Sequence, residues 1–101
     1  MRMILDMSFP NEPFNSLVKE GAVGDLISAI LEDQAPEHVW FSGKDGQRGV
    51  LMVVDVPSAS DIPRLAEPWF LAFDADIDFR VAMTAEDLGK AGLDDLGKKW
   101  N

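Results

Sequence analysis

The chain has 101 residues, a length typical of a single domain. Its 18 acidic residues outnumber its 9 basic ones, and the net charge of −9 disfavours nucleic acids and anionic membrane surfaces as partners. The absence of cysteine excludes disulfides, thiolate metal sites and cysteine nucleophiles. No apolar run is long enough for a signal or a membrane span, which predicts a soluble cytoplasmic protein.

The first part of the chain predicts a strand followed by helix. Apolar and polar residues alternate over residues 3–9, as in a half-buried strand, and Pro10 ends the pattern. A helical pattern then runs from about residue 13 or 15 to 33. Gly21 and Gly24 leave two alternatives there: one helix that approaches a neighbour closely, or two shorter helices. The expected buried stripe consists of Phe14, Leu17, Val18, Ile27, Ile30 and Leu31.

Two further alternating runs flank a turn and predict a β-hairpin. They cover residues 38–42 and 47–56, and Asp45-Gly46 between them is typical of a tight hairpin turn. Because side chains alternate along a strand, Val39 and Phe41 lie on one side of the first run, with His38 and Trp40 on the other.

A second helix and a last strand follow the hairpin. Ser58 or Ser60 is positioned to cap the helix, and Pro68 inside it predicts a kink. The last strand covers residues 76–83. The helical stripe is the clearest in the chain and consists of Ile62, Leu65, Ala66, Trp69, Phe70 and Phe73.

The tail, residues 84–101, predicts two short helices near 85–90 and 93–99. Thr84 and the acidic residues after it form a capping-box-like start. Leu93, Leu96 and Trp100 are too apolar for a free terminus, so we expect the tail to dock on its own subunit or on a partner. The predicted division is therefore an α+β domain over 1–83 with a helical extension over 84–101.

The order β-α-β-β-α-β predicts an α+β protein of the ferredoxin-like kind, with a four-stranded antiparallel sheet in the order 4-1-3-2. Its helices cover one face of the sheet and leave the other open. An open apolar face indicates an interface, so we expect two sheets to pack face to face in a homodimer. The residues predicted on this open face are Ile4, Asp6, His38, Trp40, Leu51, Val53, Asp55, Asp78, Arg80 and Ala82.

The pattern order and two segments resemble a family. The segments are Glu67-Pro68-Trp69-Phe70-Leu71 and Met83-Thr84-Ala85-Glu86-Asp87-Leu88. With the pattern order they resemble a group of small bacterial proteins of the dimeric α+β barrel superfamily, which includes muconolactone isomerases, antibiotic-biosynthesis monooxygenases and chlorite-dismutase-like domains. The resemblance implies this fold and a dimer. It carries no catalytic residue across, and the superfamily contains both enzymes and domains without known activity.

The candidate site residues lie on the open face. His38, the only histidine, is the acid/base candidate, with Asp6 or Asp55 to orient it; a surface or interface histidine is the alternative. The strand order also places Asp6 near Arg80 and Asp55. Arg80 could therefore bind an anionic ligand or pair with these carboxylates. Trp40 could stack on an aromatic ligand or belong to an interface. No spacing predicts a metal site, and no cofactor is expected.

Two functions follow from this sequence. The first, slightly favoured because no catalytic constellation is recognisable, is a non-catalytic structural or interaction protein that forms a homodimer through its open face. The second is a small-molecule-binding protein, or an isomerase- or monooxygenase-like enzyme, that uses the barrel interior for an anionic or aromatic ligand.

Overall fold

The computed structural model describes residues 1–101 and has the α+β architecture expected from the sequence. Its strands are β1 (Arg2–Phe9), β2 (His38–Lys44), β3 (Gln47–Asp55) and β4 (Asp76–Val81). Its helices are α1 (Asn11–Lys19), α2 (Val23–Gln34), α3 (Ile62–Phe73), α4 (Ala85–Gly89) and α5 (Leu93–Lys99), with a 3-10 turn at Ala59–Asp61. The strands form one antiparallel sheet in the order β2-β3-β1-β4, so β1 and β3 are central and β2 and β4 are its edges.

The core lies between one face of the sheet and helices α1, α2 and α3. Alternate residues of β1 and β3 point into it, as the period-two patterns predict. The rings of Phe9, Trp69 and Phe73 pack against one another, with centroids 5.2–5.9 Å apart, and Phe14 stacks on their edge. The buried apolar residues are Met3, Leu5, Met7, Phe9, Ile30, Val50, Met52, Val54, Val56, Leu65, Ala66, Trp69, Phe73 and Ala75.

The first helical segment is broken into two helices. Gly21 adopts a φ of 71°, a left-handed conformation that ends α1, while Gly24 lies inside α2. Of the two alternatives left by the sequence, the break is the one observed. Val18, which the sequence placed in the buried stripe, is 47 % exposed, whereas its neighbour Leu17 packs on the core.

Helix α3 continues through Pro68 without ending. A proline has no N–H, so the carbonyl of Arg64, four residues earlier, loses its helical donor. The side chain of Gln34 fills this place: its Nε2 donates to the carbonyl oxygens of Arg64 at 3.3 Å and Leu65 at 3.0 Å, and its Oε1 accepts from Trp69 Nε1 at 3.0 Å. Gln34 is thus a buried polar residue whose amide is fully engaged.

The hairpin and the ends of the edge strands complete the sheet. Asp45 and Gly46 both have positive φ, 52° and 76°, and form the turn that this dipeptide predicts. Because Lys44 still pairs with Gln47, β2 runs two residues beyond its predicted end at residue 42. At the edges the helical layer is too narrow to cover every inward-facing position. Phe41 and Val81 consequently remain exposed. Strand β4 ends at Val81, two residues before the predicted end, so Met83 lies beyond the sheet and is exposed as well.

Residues 84–101 form an arm that extends from the end of β4. The molecule measures 60 × 28 × 19 Å, and its radius of gyration of 17.2 Å exceeds the roughly 13 Å of a compact chain of this length. The arm begins with the expected capping box: Asp87 N–H donates to Thr84 Oγ1 at 3.1 Å, and Thr84 N–H donates to Asp87 Oδ2 at 3.0 Å. None of the helices combines the length and the apolar character needed to cross a bilayer.

Candidate functional site

The face of the sheet opposite the helices, here called the open face, carries the predicted site residues in two rows across the strands. In one row, Ile4 on β1 lies between Val53 on β3 and Arg80 on β4. In the next, Asp6 lies between Leu51 and Asp78. Edge strand β2 extends the rows with His38 beside Val53 and Trp40 beside Leu51. The β2 half of the face is therefore mainly apolar, and the β4 half is charged.

Asp6 is the centre of an ion cluster that joins both edges of the sheet. Its Oδ1 lies 3.3 Å from Lys44 Nζ of β2, and its Oδ2 lies 3.4 Å from an Arg80 amine of β4. Arg80 also donates to Asp78, and this hydrogen bond, followed by that to Asp6, raises the pKa of the guanidinium further above its already high value. Two carboxylates face two cations, so the cluster of Asp6, Lys44, Asp78 and Arg80 has no net charge.

His38 stacks on Trp40 and forms no hydrogen bond or ion pair with Asp6 or Asp55. The two rings are 5.3 Å apart and inclined by 14°, with Trp40 half-exposed. Asp6 lies on β1 and His38 on β2, so β3, with Leu51 and Val53, lies between the carboxylate and the imidazole. The expected pairing of His38 with Asp6 is absent from this structure.

Asp55 lies away from the cluster, at the end of β3. It is paired in register with Arg2 and not with Asp6, four residues and roughly 13 Å further along the strand. Its Oδ1 accepts from the amine of Met1 at 3.0 Å. The expectation that Asp6 neighbours both Arg80 and Asp55 is therefore right for Arg80 and wrong for Asp55. The alternation of side chains along a strand predicts the face on which a residue lies, but it does not predict the register of β1 against β3.

The same end of the sheet carries a second matched pair. Arg2 Nε donates to Glu37 Oε2 at 2.9 Å, and this hydrogen bond raises the pKa of Arg2. The charges at this end of the open face therefore already have partners within the chain.

On the helical side, the hairpin and α1 enclose an open groove of about 650 Å³, here called the hairpin groove. Phe9, Phe14 and Phe41 provide its apolar walls. Arg48 lies at its rim, with its guanidinium 4.4 Å from the centre of the Phe14 ring and one amine 2.8 Å from Asn15 Oδ1. No carboxylate lies within ion-pair distance of Arg48, in contrast to Arg80. The remaining lining residues are Ser42, Gly43, Gly46, Gln47 and Gly49.

The sequence did not identify Lys44, Arg48 or Phe41 as site residues. Lys44 and Arg48 belong to the hairpin, and the alternation along β2 assigned Phe41 to the core side of the sheet. Only the width of the helical layer, a tertiary property, leaves Phe41 uncovered. No three histidine or acidic side chains are grouped so that they could hold a metal ion.

Comparison with known proteins adds no family assignment. No protein-family model matches the chain, and no curated protein matches it significantly.

Proposed function

We propose that this protein is a non-catalytic structural or interaction protein that forms a homodimer through its open face. In this proposal the sheet is of the ferredoxin-like kind, and two sheets pack face to face as a dimeric α+β barrel. The observation that carries the proposal is the neutral ion cluster around Asp6. Charged groups can enter an interface only when they are paired, since an unpaired buried charge is strongly destabilising.

The apolar half of the open face supports the same interpretation. Ile4, Leu51 and Val53 are only partly covered within one chain, and Trp40 is half-exposed beside them. An apolar patch beside charges that are already paired is compatible with a protein–protein interface. Trp40 is of the residue type that most often dominates the binding energy of such contacts.

The positions of the acid/base candidates favour a non-catalytic role. General acid–base catalysis with histidine ordinarily uses a neighbouring group that orients the imidazole. Here the imidazole of His38 is held by stacking on Trp40, and Asp6 is engaged with Lys44 and Arg80. His38 and Asp6 thus have interactions suited to an interface.

The test is a matched pair of valine substitutions. Val53→Asp puts an unpaired charge at the centre of the open face and is expected to convert the dimer into a monomer in sedimentation experiments. Val18→Asp makes the same change on the exposed outer side of α1 and is expected to leave the dimer intact. If circular dichroism shows that both variants are folded and sedimentation gives them the same oligomeric state, the proposed interface is contradicted.

Small-molecule binding is the second candidate, and the hairpin groove favours it. Its volume of about 650 Å³ lies within the roughly 300–1,000 Å³ of typical ligand sites. The Arg48 guanidinium has no carboxylate partner and lies over the Phe14 ring in a groove lined by three phenylalanines, which suits a small aromatic carboxylate. Arg80 is less suited to an anionic ligand, because Asp6 and Asp78 already occupy its guanidinium.

This second function is tested by calorimetric titration with benzoate and phenylacetate, using benzamide as the uncharged control. Binding of the carboxylates, loss of binding in Arg48→Gln and retention in Arg64→Gln would support it. Arg64 is an exposed arginine of α3 outside the groove. If neither carboxylate binds, or if benzamide binds equally well, the groove does not recognise the anion.

A further inference from the structure

The arm, residues 84–101, has an apolar surface that its own chain does not cover. Trp100 is 76 % exposed, and Leu88, Leu93 and Leu96 are each about half-exposed. Every residue from Ala85 to Asn101 is exposed. The apolar side chains of the arm therefore lack the burial that would hold them in place.

The arm helices are too short to be stable alone. Helix α4 has 5 residues and α5 has 7, whereas isolated helices need about 12–15 residues to be even marginally stable in water. The capping box of Thr84 and Asp87 stabilises the start of α4, but α5 begins at Leu93 after Gly92, which has no side chain to cap it. The helical conformation of the arm thus requires an external surface.

The size of the open face indicates where that surface is. Four strands about 4.8 Å apart and about seven residues long give a sheet of roughly 20 × 25 Å, or about 500 Å² in projection. A standard stable interface takes about 800 Å² from each partner. Leu93, Leu96 and Trp100 represent additional apolar area, and a buried tryptophan alone contributes about 150–250 Å². The open face and the arm together reach the area that a stable dimer needs.

We propose that the arm crosses to the second copy of the chain and packs its apolar side chains on that copy's body, so that the two subunits exchange arms. This inference rests on the proposed homodimer and adds the arm to its interface. The arm leaves the domain at the end of edge strand β4, next to the open face, so it is continuous with the surface on which the partner would lie. A second copy would offer the same surface in return, as two-fold symmetry requires.

Photochemical cross-linking of the full chain tests the exchange. Benzoylphenylalanine in place of Trp100 is expected to give, on irradiation, a covalent product of twice the chain mass on a denaturing gel. The same probe in place of Leu71, which is 82 % exposed on α3, is the control and is expected to remain at the single-chain mass. Only intramolecular cross-links from position 100, mapped by mass spectrometry, would overturn the exchange.

A second measurement separates the arm from the open face. Leu96→Ala with Trp100→Ala removes apolar contacts of the arm and is expected to raise the dimer dissociation constant about tenfold or more, while the circular dichroism of the sheet is unchanged. If Val53→Asp dissociates the dimer but the arm substitutions leave its dissociation constant unchanged, the open-face dimer stands and the exchange fails. If the wild-type chain is a monomer, the proposed function itself fails.

Discussion

The side chain of Gln34 occupies the position of the helical hydrogen-bond donor that Pro68 removes. Its amide nitrogen donates to the carbonyl oxygen of Arg64, four residues before the proline, and to that of Leu65. Its amide oxygen accepts from the indole of Trp69. The end of α2 is thus joined to the middle of α3 through one buried amide, and α3 keeps its tryptophan in the core beneath the sheet.

Replacement of Gln34 should be strongly destabilising. Gln34→Leu leaves the Arg64 carbonyl and the Trp69 indole without partners, and each buried unsatisfied group costs about 1–3 kcal/mol. We expect the melting temperature to fall by roughly 10 °C or more, measured by thermal denaturation. Gln47→Leu, at an exposed position of the hairpin, is the matched control and should change it little.

A second substitution, at Pro68, tests whether the missing helical donor causes the loss of stability expected for Gln34→Leu. Pro68→Ala restores an N–H that can donate to the Arg64 carbonyl within α3. The loss from Gln34→Leu should therefore be smaller when residue 68 is alanine. An equal loss in both backgrounds would mean that the amide does not substitute for the missing helical donor.

Substitution of glycine by alanine should lower the stability of the protein at Gly49 and raise it at Gly24. A Cβ at Gly49 would lie 2.8 Å from the carbonyl oxygens of both Met7 and Ser42, so Gly49→Ala should push β3 away from its two neighbouring strands and cost about 1–3 kcal/mol. A Cβ at Gly24 meets nothing within 4 Å, so Gly24→Ala in α2 should stabilise the protein by roughly 0.5–1 kcal/mol. Urea denaturation of both variants checks the sign of each change.

Much of the fold was predictable because the sequence pattern is local and the strands are regular. The alternation in β1 and β3 identified the buried side chains, and it also placed Asp6 and Arg80 on one face, where they contact each other. The Asp45-Gly46 pair predicted the hairpin turn, because positive φ at both positions is a property of those residue types.

What the sequence did not predict depends on distances between elements. Phe41 lies on the core side of the sheet, but its burial depends on how far α1 extends over β2. Asp55 lies on the same face as Asp6, but its neighbours depend on the register of β3 against β1. Gln34 gave no signal, since its role exists only once Pro68 of another helix is placed beside it.

Acidification should weaken the two hydrogen bonds that hold acidic side chains at helix starts. Glu12 accepts from Ser16 Oγ at 2.7 Å and its pKa is lowered mainly by this bond; the pKa of Asp87 is lowered by its bonds with Thr84. A lowered pKa in the folded state means that the stabilisation is present above the ordinary values of 4.5 and 3.8 and disappears as the pH falls through the folded values.

The measurement for this prediction is urea denaturation across pH. The difference in the free energy of unfolding between wild type and Glu12→Gln should be largest near pH 7 and disappear as the pH falls through the lowered pKa of Glu12. Glu20→Gln is the matched control, because the carboxylate of Glu20 accepts no hydrogen bond. A difference for Glu12→Gln that stays constant across this range would contradict the role of the ionised carboxylate.

Asp6→Asn should affect the dimer more than the fold. Within one chain the ion pairs of Asp6 are partly exposed, so their loss should cost about 1 kcal/mol or less, measured in the Val53→Asp background that we expect to be monomeric. In the proposed dimer the same change would leave Lys44 without its carboxylate in a desolvated contact, and we expect the dissociation constant to rise about tenfold or more. Asp76→Asn, beyond the cluster on β4, is the control; equal effects of the two variants would argue against a desolvated cluster.

The most direct test of the open-face dimer is the mass of the unmodified chain in solution. Sedimentation equilibrium at micromolar concentration should give about twice the chain mass of 11.1 kDa, and Val53→Asp under the same conditions should give the chain mass. A wild-type mass of 11.1 kDa throughout the concentration range would contradict the interpretation, because the open face and the arm would then both remain uncovered.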